Sequence, residues 1–446
     1  MRSVSITVLT LALAGGAAQA QFYSNTLGDP GFSGSFPVSF AAYDDGTGEA
    51  LYTTGQFGIP GVAVEANIAR WDGNAWQGVG GGLLGSFSNV ITVFDGDLIA
   101  GGNFESAGGV AGTEKLARWD GTQWHSMDAQ SAIFLNSMWD LEVYDDGITG
   151  EQLYIGGNYQ NIGGVAGVNY ISKWDGSTYT EVGGTIGGAV PLIILDITQG
   201  DLGSGNMLFA GGRFLNIDGV PALNVAQWDG TQWTDLDSGI SRPSGFAQVL
   251  HMVVWDDGSG PALYVGGRFE TAGGQPVSRN IAKWDGSSWS SMGGGFNADV
   301  QELIPFDDGT GEALYALGNF DQVGGNPVSH IARWNGTSWE PVGNGANGTI
   351  FGGTVYDYGE GPSMVLGGGF TRIDGLDAGL VAAYVAQGAS PCPADLNGDG
   401  NLDFFDVSDF INAFAAMDPI ADFNGDGNFD FFDVSDFVGA FGAGCP

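Results

Sequence analysis

Basic residues are scarce in this sequence: 12 Lys and Arg stand against 51 Asp and Glu, for a formal charge of −39 at pH 7. A surface of that sign repels phosphate backbones and anionic headgroups, which excludes nucleic-acid and membrane-surface binding. Cysteine is almost missing, with only Cys392 and Cys445, so residues 1–391 carry no thiol chemistry. Three His and two Cys form no zinc-spaced cluster. Neither a phosphate-cradling loop nor a nucleophilic-serine motif occurs, and the many Gly-Gly steps recur at a fixed period and read as structural. Long apolar runs are absent apart from Val4 to Ala14, which falls short of the roughly 20 residues that cross a bilayer.

That run follows Met1-Arg2 and leads to Ala18-Gln19-Ala20, the charge, length and small-residue pattern of a secretory signal over 1–20. The mature chain is therefore expected to begin near Gln21, without a membrane span, and to be secreted, in the extracellular space or at the cell surface. In an oxidising compartment, Cys392 and Cys445 are expected to form a disulfide that stabilises the C-terminal segment by roughly 4 kcal/mol on the chain-entropy account. Two unpaired thiols are the alternative.

What the chain does have is glycine, 80 residues of it, and regularly spaced aromatics. A six-residue signature runs from Trp71 to Trp76, Trp119 to Trp124, Trp174 to Tyr179, Trp228 to Trp233, Trp284 to Trp289 and Trp334 to Trp339. Each copy follows an apolar segment ending in a glycine step and an aromatic, such as Leu208 to Phe214 and Leu263 to Phe269, with a seventh at Val365 to Phe370. Within 248–295 the pattern predicts strands at Val249–Trp255, Ala262–Phe269, Asn280–Trp284 and Ser288–Met292, joined by Asp-Gly turns. Four antiparallel strands per repeat of about 50 residues is the arithmetic of a propeller blade. The expected fold is mainly β: a seven-bladed β-propeller over 21–388, in which residues between Phe22 and Phe36 supply the outer strand that the seventh unit lacks. The repeats resemble kelch-type and related bacterial propeller repeats, and those of fungal cortical polarity-marker proteins.

After a linker at 389–394 the composition changes: from Cys392 onward there are eleven Asp and no Glu, Lys or Arg. Asp395, Asn397, Asp399, Asn401, Asp403 and Asp406 fall at positions 1, 3, 5, 7, 9 and 12 of a loop, and Asp422, Asn424, Asp426, Asn428, Asp430 and Asp433 repeat them. Gly400 and Gly427 stand at the sharp turn. This spacing wraps oxygens around one point, as Ca2+ requires, with position 7 giving its backbone carbonyl. Val407, Phe410, Ile411 and Phe414, and Val434, Phe437, Val438 and Phe441, mark one apolar face on each following helix, and the two faces are expected to pack together. A small α-helical calcium-binding module over 395–446, with two Ca2+ ions, is the expectation.

The segment 391–446 resembles a type I dockerin, in particular the dockerins that end in Gly-Cys-Pro, as Gly444-Cys445-Pro446 does. The resemblance implies docking onto a cohesin-like or other surface scaffold protein through loop positions 10 and 11, here Phe404, Phe405, Phe431 and Phe432. Clostridial dockerins usually carry small or polar residues there, so docking is implied more firmly than a cohesin. Packing within the module is the other reading, for Phe405 and Phe432 above all.

In the repeat region, eleven of the thirteen Trp belong to the signature and read as packing between blades, leaving Trp139 and Trp255. Acidic turns at Asp44-Asp45, Asp145-Asp146, Asp256-Asp257 and Asp307-Asp308 read as hairpin turns. Aligning first strands on those turns puts Asp140, His251 and Glu302 at equivalent positions, either lining a central channel or facing between blades. His125 and His330 read as surface or turn residues. The leading expectation is a non-enzymatic propeller that binds a glycan or protein ligand and docks through its tail. A glycan-active hydrolase or lyase recruited by the tail, and a structural surface-layer component, are the alternatives.

Overall fold

The computed structural model describes residues 22–386, except 29–30, 60, 62–66, 130–136, 189–190, 278 and 359–360, and in the tail 394, 396, 404–416, 421, 423, 429 and 431–443. The signal stretch 1–20 lies outside the described residues, as does nearly all of the linker.

The protein is mainly β, built of small antiparallel sheets, with two short helices near the C-terminus. In the unit used above, Gln248–Asp256, Pro261–Arg268, Ile281–Trp284 and Trp289–Ser290 pair in chain order. The Asp256 carboxylate holds the hairpin by accepting the Gly258 and Gly260 amides at 2.8 and 2.9 Å. The fourth strand is shorter than Ser288–Met292 because the chain leaves the sheet to pair Phe296 with Val323 of the next unit. Six four-stranded sheets follow this plan, with first strands at Ser33–Asp44, Leu83–Phe94, Met138–Asp145, Ile193–Asp201, Gln248–Asp256 and Val300–Asp307. A seventh is made of Ile350–Asp357, Pro362–Gly368 and Val381–Val385, and Phe22–Ser24 adds its fourth strand, Tyr23 facing Tyr384.

Alternation along the second strands decides how the sheets pack. Leu208 and Ala210 point toward the third sheet, whereas Phe209 points toward the fifth. Both faces of each sheet are thereby buried, and seven separate cores result, each shared by two consecutive sheets. The seventh core joins the last sheet to the first through Val365, Val381 and Ala383 against Phe40, Leu51, Trp71 and Trp76. First strands contact their successors in the same order, and Ile350–Asp357 contacts Ser33–Asp44. The Gly-Gly steps make this approach possible. A Cβ on Gly266 would stand 2.7 Å from Val300 of the next sheet, and one on Gly267 would collide with the Gln248 carbonyl of its own.

The second aromatic of the signature ties its sheet to the one before in every sheet but the second, where Trp124 Nε1 has no partner among the described residues. Trp233 Nε1 donates to the Val182 carbonyl at 3.0 Å, Trp289 to Leu236 at 2.8 Å and Trp339 to Met292 at 3.1 Å, and the Tyr179 hydroxyl donates to Met127 at 2.7 Å. Tyr23 fills this role in the seventh sheet, donating to the Val342 carbonyl at 3.1 Å, and Trp76 of the first sheet donates to Leu27 at 2.7 Å. Tyr23 is 8% exposed, so Tyr23→Ala removes both packing and a tie. Denaturant unfolding should report a loss of about 3–5 kcal/mol for that variant, as for other large aromatics, and of about 1 kcal/mol for Tyr23→Phe.

Candidate functional site

Every first strand carries a β-bulge at the same level, and the residues that follow it are Ser39, Val90, Asp140, Asp196, His251, Glu302 and Gly352. A bulge re-aims the side chain after it. Asp140, His251 and Glu302 are thus equivalent, as the alignment expects, but the set is incomplete without Asp196 of the fourth sheet. Both readings of their direction hold at once. The Ile197 amide donates to Asp140 Oδ2 at 2.6 Å, the Leu303 amide to His251 Nδ1 at 3.2 Å and the Ile91 amide to Ser39 Oγ at 3.1 Å, so these side chains clasp the next sheet. Asp140, Asp196, His251 and Glu302 also line a cavity of about 660 Å³, together with Glu142, two residues along the same strand face.

The cavity brings four carboxyls and one imidazole together with no Lys or Arg in its lining. His251 Nε2 lies 3.3 Å from Glu302 Oε1 and 3.9 Å from Asp196 Oδ1. Because Nδ1 accepts an amide, the neutral ring carries its proton on Nε2, and burial pulls its pKa down to about 4. Burial raises Asp140, Asp196 and Glu302 well above the usual carboxylate range, and the negative charge of Asp140 adds to the effect on Asp196 and Glu302. Glu142 is pushed from 4.5 to about 8 by burial and then by Asp140. Asp196 is 5% exposed, and its Oδ2 has no hydrogen-bond partner among the described residues; the Met252 amide of the next sheet offsets part of its charge.

The other sequence candidates here have structural partners. Asp45, Asp146, Asp257 and Asp308 of the acidic turns pair with Arg70, Lys173, Lys283 and Arg333 at 2.6–3.4 Å. His125 meets Asp120 at 2.6 Å in a turn, and His330 occupies a left-handed position with Nδ1 3.1 Å from the Gly318 carbonyl. Among the described residues, no three His, Cys, Asp or Glu are grouped to hold a metal.

In the tail, α1 (Phe404–Ala416) and α2 (Phe431–Ala443) follow the two loops. Phe410 and Phe437, which are equivalent in the two halves, stack at 4.1 Å with an interplanar angle of 4°, and Phe423 meets both edge-on. Val407, Phe414, Val434 and Phe441 join this core. Ile411 and Val438 do not: they are 59% and 61% exposed, which corrects the expected packing face. The stacked ring pair sets the helices so that position i+4 of each points away from the other.

Of the loop residues, Asp406 and Asp433 are described. Both are fully buried, and Asp406 Oδ1 accepts the Leu396 amide at 2.9 Å. Asp395, Asn397, Asp399, Asn401, Asp403, Asp422, Asn424, Asp426, Asn428 and Asp430 lie outside the described residues, as do Cys392, Cys445 and the side chains of Phe404 and Phe405. Phe431 and Phe432 are 76% and 63% exposed, with ring centroids 6.3 Å apart.

No family model matches the chain, and no curated protein does. Solved structures resemble it only distantly. The computationally designed Ika8 protein is 13% identical, with 82% of this chain and 100% of that one covered and a TM-score of 0.42. An extracellular domain assigned to a hybrid two component system of B. thetaiotaomicron is 11% identical, with 82% of this chain and 40% of that one covered and a TM-score of 0.48.

Glu142 holds its proton more tightly in the folded chain than in the unfolded one, so its contribution is full below about pH 4.5 and is lost as pH rises to about 8. Thermal melts of Glu142→Gln should match the native protein near pH 4.5 and exceed it by about 2 °C or more at pH 8. Equal melting temperatures at both pH values would show the carboxyl to be freely hydrated.

Proposed function

We propose that this is a secreted, non-enzymatic binding protein: a closed seven-bladed β-propeller whose cavity takes a ligand, attached through a calcium-dependent, dockerin-like tail to an extracellular or cell-surface partner. Propeller closure is supported by the seven shared cores, the last of which joins the ends, and by the recurrence of the aromatic tie on both sides of that join.

One observation carries the docking half. Asp406 and Asp433 are fully buried at the twelfth position of each loop, in a segment with no Lys or Arg. Burial of a carboxylate at that position is what a calcium ligand there requires, and a Ca2+ ion would stabilise its negative charge. The described members of the two ligand sets therefore fit the ion, with Asp395, Asn397, Asp399, Asn401 and Asp403, and their counterparts from Asp422 to Asp430, as the remaining donors. Exposed Phe431 and Phe432 beside the second loop suit an aromatic anchor for the partner.

The acid-rich cavity favours a second reading, a glycan-active hydrolase or lyase. Asp140 and His251, however, already serve as clasps between sheets, which weighs toward binding. Calcium calorimetry on the full chain and on a variant with Asp395→Ala and Asp422→Ala tests the docking half. Two binding events lost in the variant are expected. An unchanged isotherm would remove the calcium-dependent tail from the proposal.

A further inference from the structure

The cavity at the bulge level has three features that bear on a ligand. Asp196 is among its lining residues, with Oδ2 itself shut off from solvent and without a hydrogen-bond partner among the described residues. Glu142 makes no amide clasp, although the Gln199 side chain of the next sheet eases its charge, and it adds a fourth carboxyl to an enclosure without Lys or Arg. Around these acids stand Phe36, Phe87, Trp139 and Phe351, all half-buried, with Phe36 and Phe351 4.5 Å apart. Trp139 Nε1 is likewise without a partner among the described residues.

Each feature narrows the ligand. Carboxyls of this density ask for positive charge, and a volume of about 660 Å³ is that of a small-molecule site. Among the described residues no three His, Cys, Asp or Glu are grouped to hold a metal, which turns the choice away from a coordinated ion. Aromatic faces attract organic cations, while carboxylates lining a cavity ask for N–H donors. A protonated amine on a small carbon skeleton answers both demands.

From this juxtaposition of Asp196, Glu142, Glu302 and four aromatic rings around one cavity, we infer that the cavity binds a small ligand through one or more protonated amines. The inference deepens the binding half of the proposed function and rests on it; it is independent of calcium in the tail. A linear polyamine and an amino sugar share this chemistry. Binding ionises carboxyls that the empty cavity keeps protonated, so an already protonated amine releases protons as it enters.

The test is calorimetry on the full chain at pH 7 in saturating calcium, with spermidine and glucosamine as probes and N-acetylglucosamine as the uncharged control. One site per chain is expected for at least one amine, with heats that differ between buffers of unlike ionisation enthalpy. Spermidine alone points to a polyamine, and glucosamine alone to an amino sugar. Glu142→Gln and Asp196→Asn should each weaken binding about tenfold or more, the loss of a charge-assisted hydrogen bond. Glu142→Gln leaves the sheet clasp intact and is decisive if Asp196→Asn folds poorly. The inference is overturned if neither amine binds, if N-acetylglucosamine binds as well as glucosamine, or if amine binding ignores Glu142→Gln, the result of diffuse attraction to a chain of −39. Any of these would leave the calcium reading of the tail standing.

Discussion

A four-stranded sheet with two apolar faces cannot stand in water alone, and everything else in this molecule follows from how that is solved. Each sheet buries one face on its predecessor and one on its successor, so stability is a sum of like interfaces instead of a single central core. Leu208, Phe209 and Ala210 show the principle in three consecutive residues, divided between two neighbours. Close approach requires glycine where strands nearly touch, as at Gly266 and Gly267, and open turns with positive φ, such as Gly258 and Gly260, use others. The scarce cations are spent in the same service: Arg70, Lys173, Lys283 and Arg333 each sit one residue before a signature Trp and neutralise an acidic turn of their own sheet.

Much of this was legible in the sequence because repetition amplifies weak signals. One Trp-Asp-Gly step says little, whereas five such steps and a sixth with Asn335 in place of Asp, at a fixed period, define strands, turns and the missing outer strand that Phe22–Ser24 provides. The site was only half legible. Asp140, His251 and Glu302 could be aligned on their Asp-Asp-Gly turns, but the fourth sheet turns through Asp201-Leu202-Gly203, so Asp196 was passed over. Glu142 was within reach of the same reasoning, since a residue two along a strand shares its face. What no periodicity could supply is the bulge, which sets a common level for the residue that follows it in every sheet.

The tail shows a different limit. Apolar spacing identified both helices, yet it assigned Ile411 and Val438 to the packed face when the Phe410–Phe437 stack turns them outward. A 3.6-residue pattern defines a stripe about two residues wide, and which edge of it is covered depends on the partner surface. Here that partner is a near copy of the same helix, so the two meet on their largest rings.

The seventh sheet places Val381–Val385, the strand that leads into the tail, between Pro362–Gly368 on one side and Phe22–Ser24 on the other. Were the tail's strand the outermost one, tension on it would unzip hydrogen bonds one at a time. Flanked on both edges, it transmits load in shear, with two ladders resisting together. A short N-terminal strand of three residues thus acts as a mechanical lock on the point where the chain would be tethered.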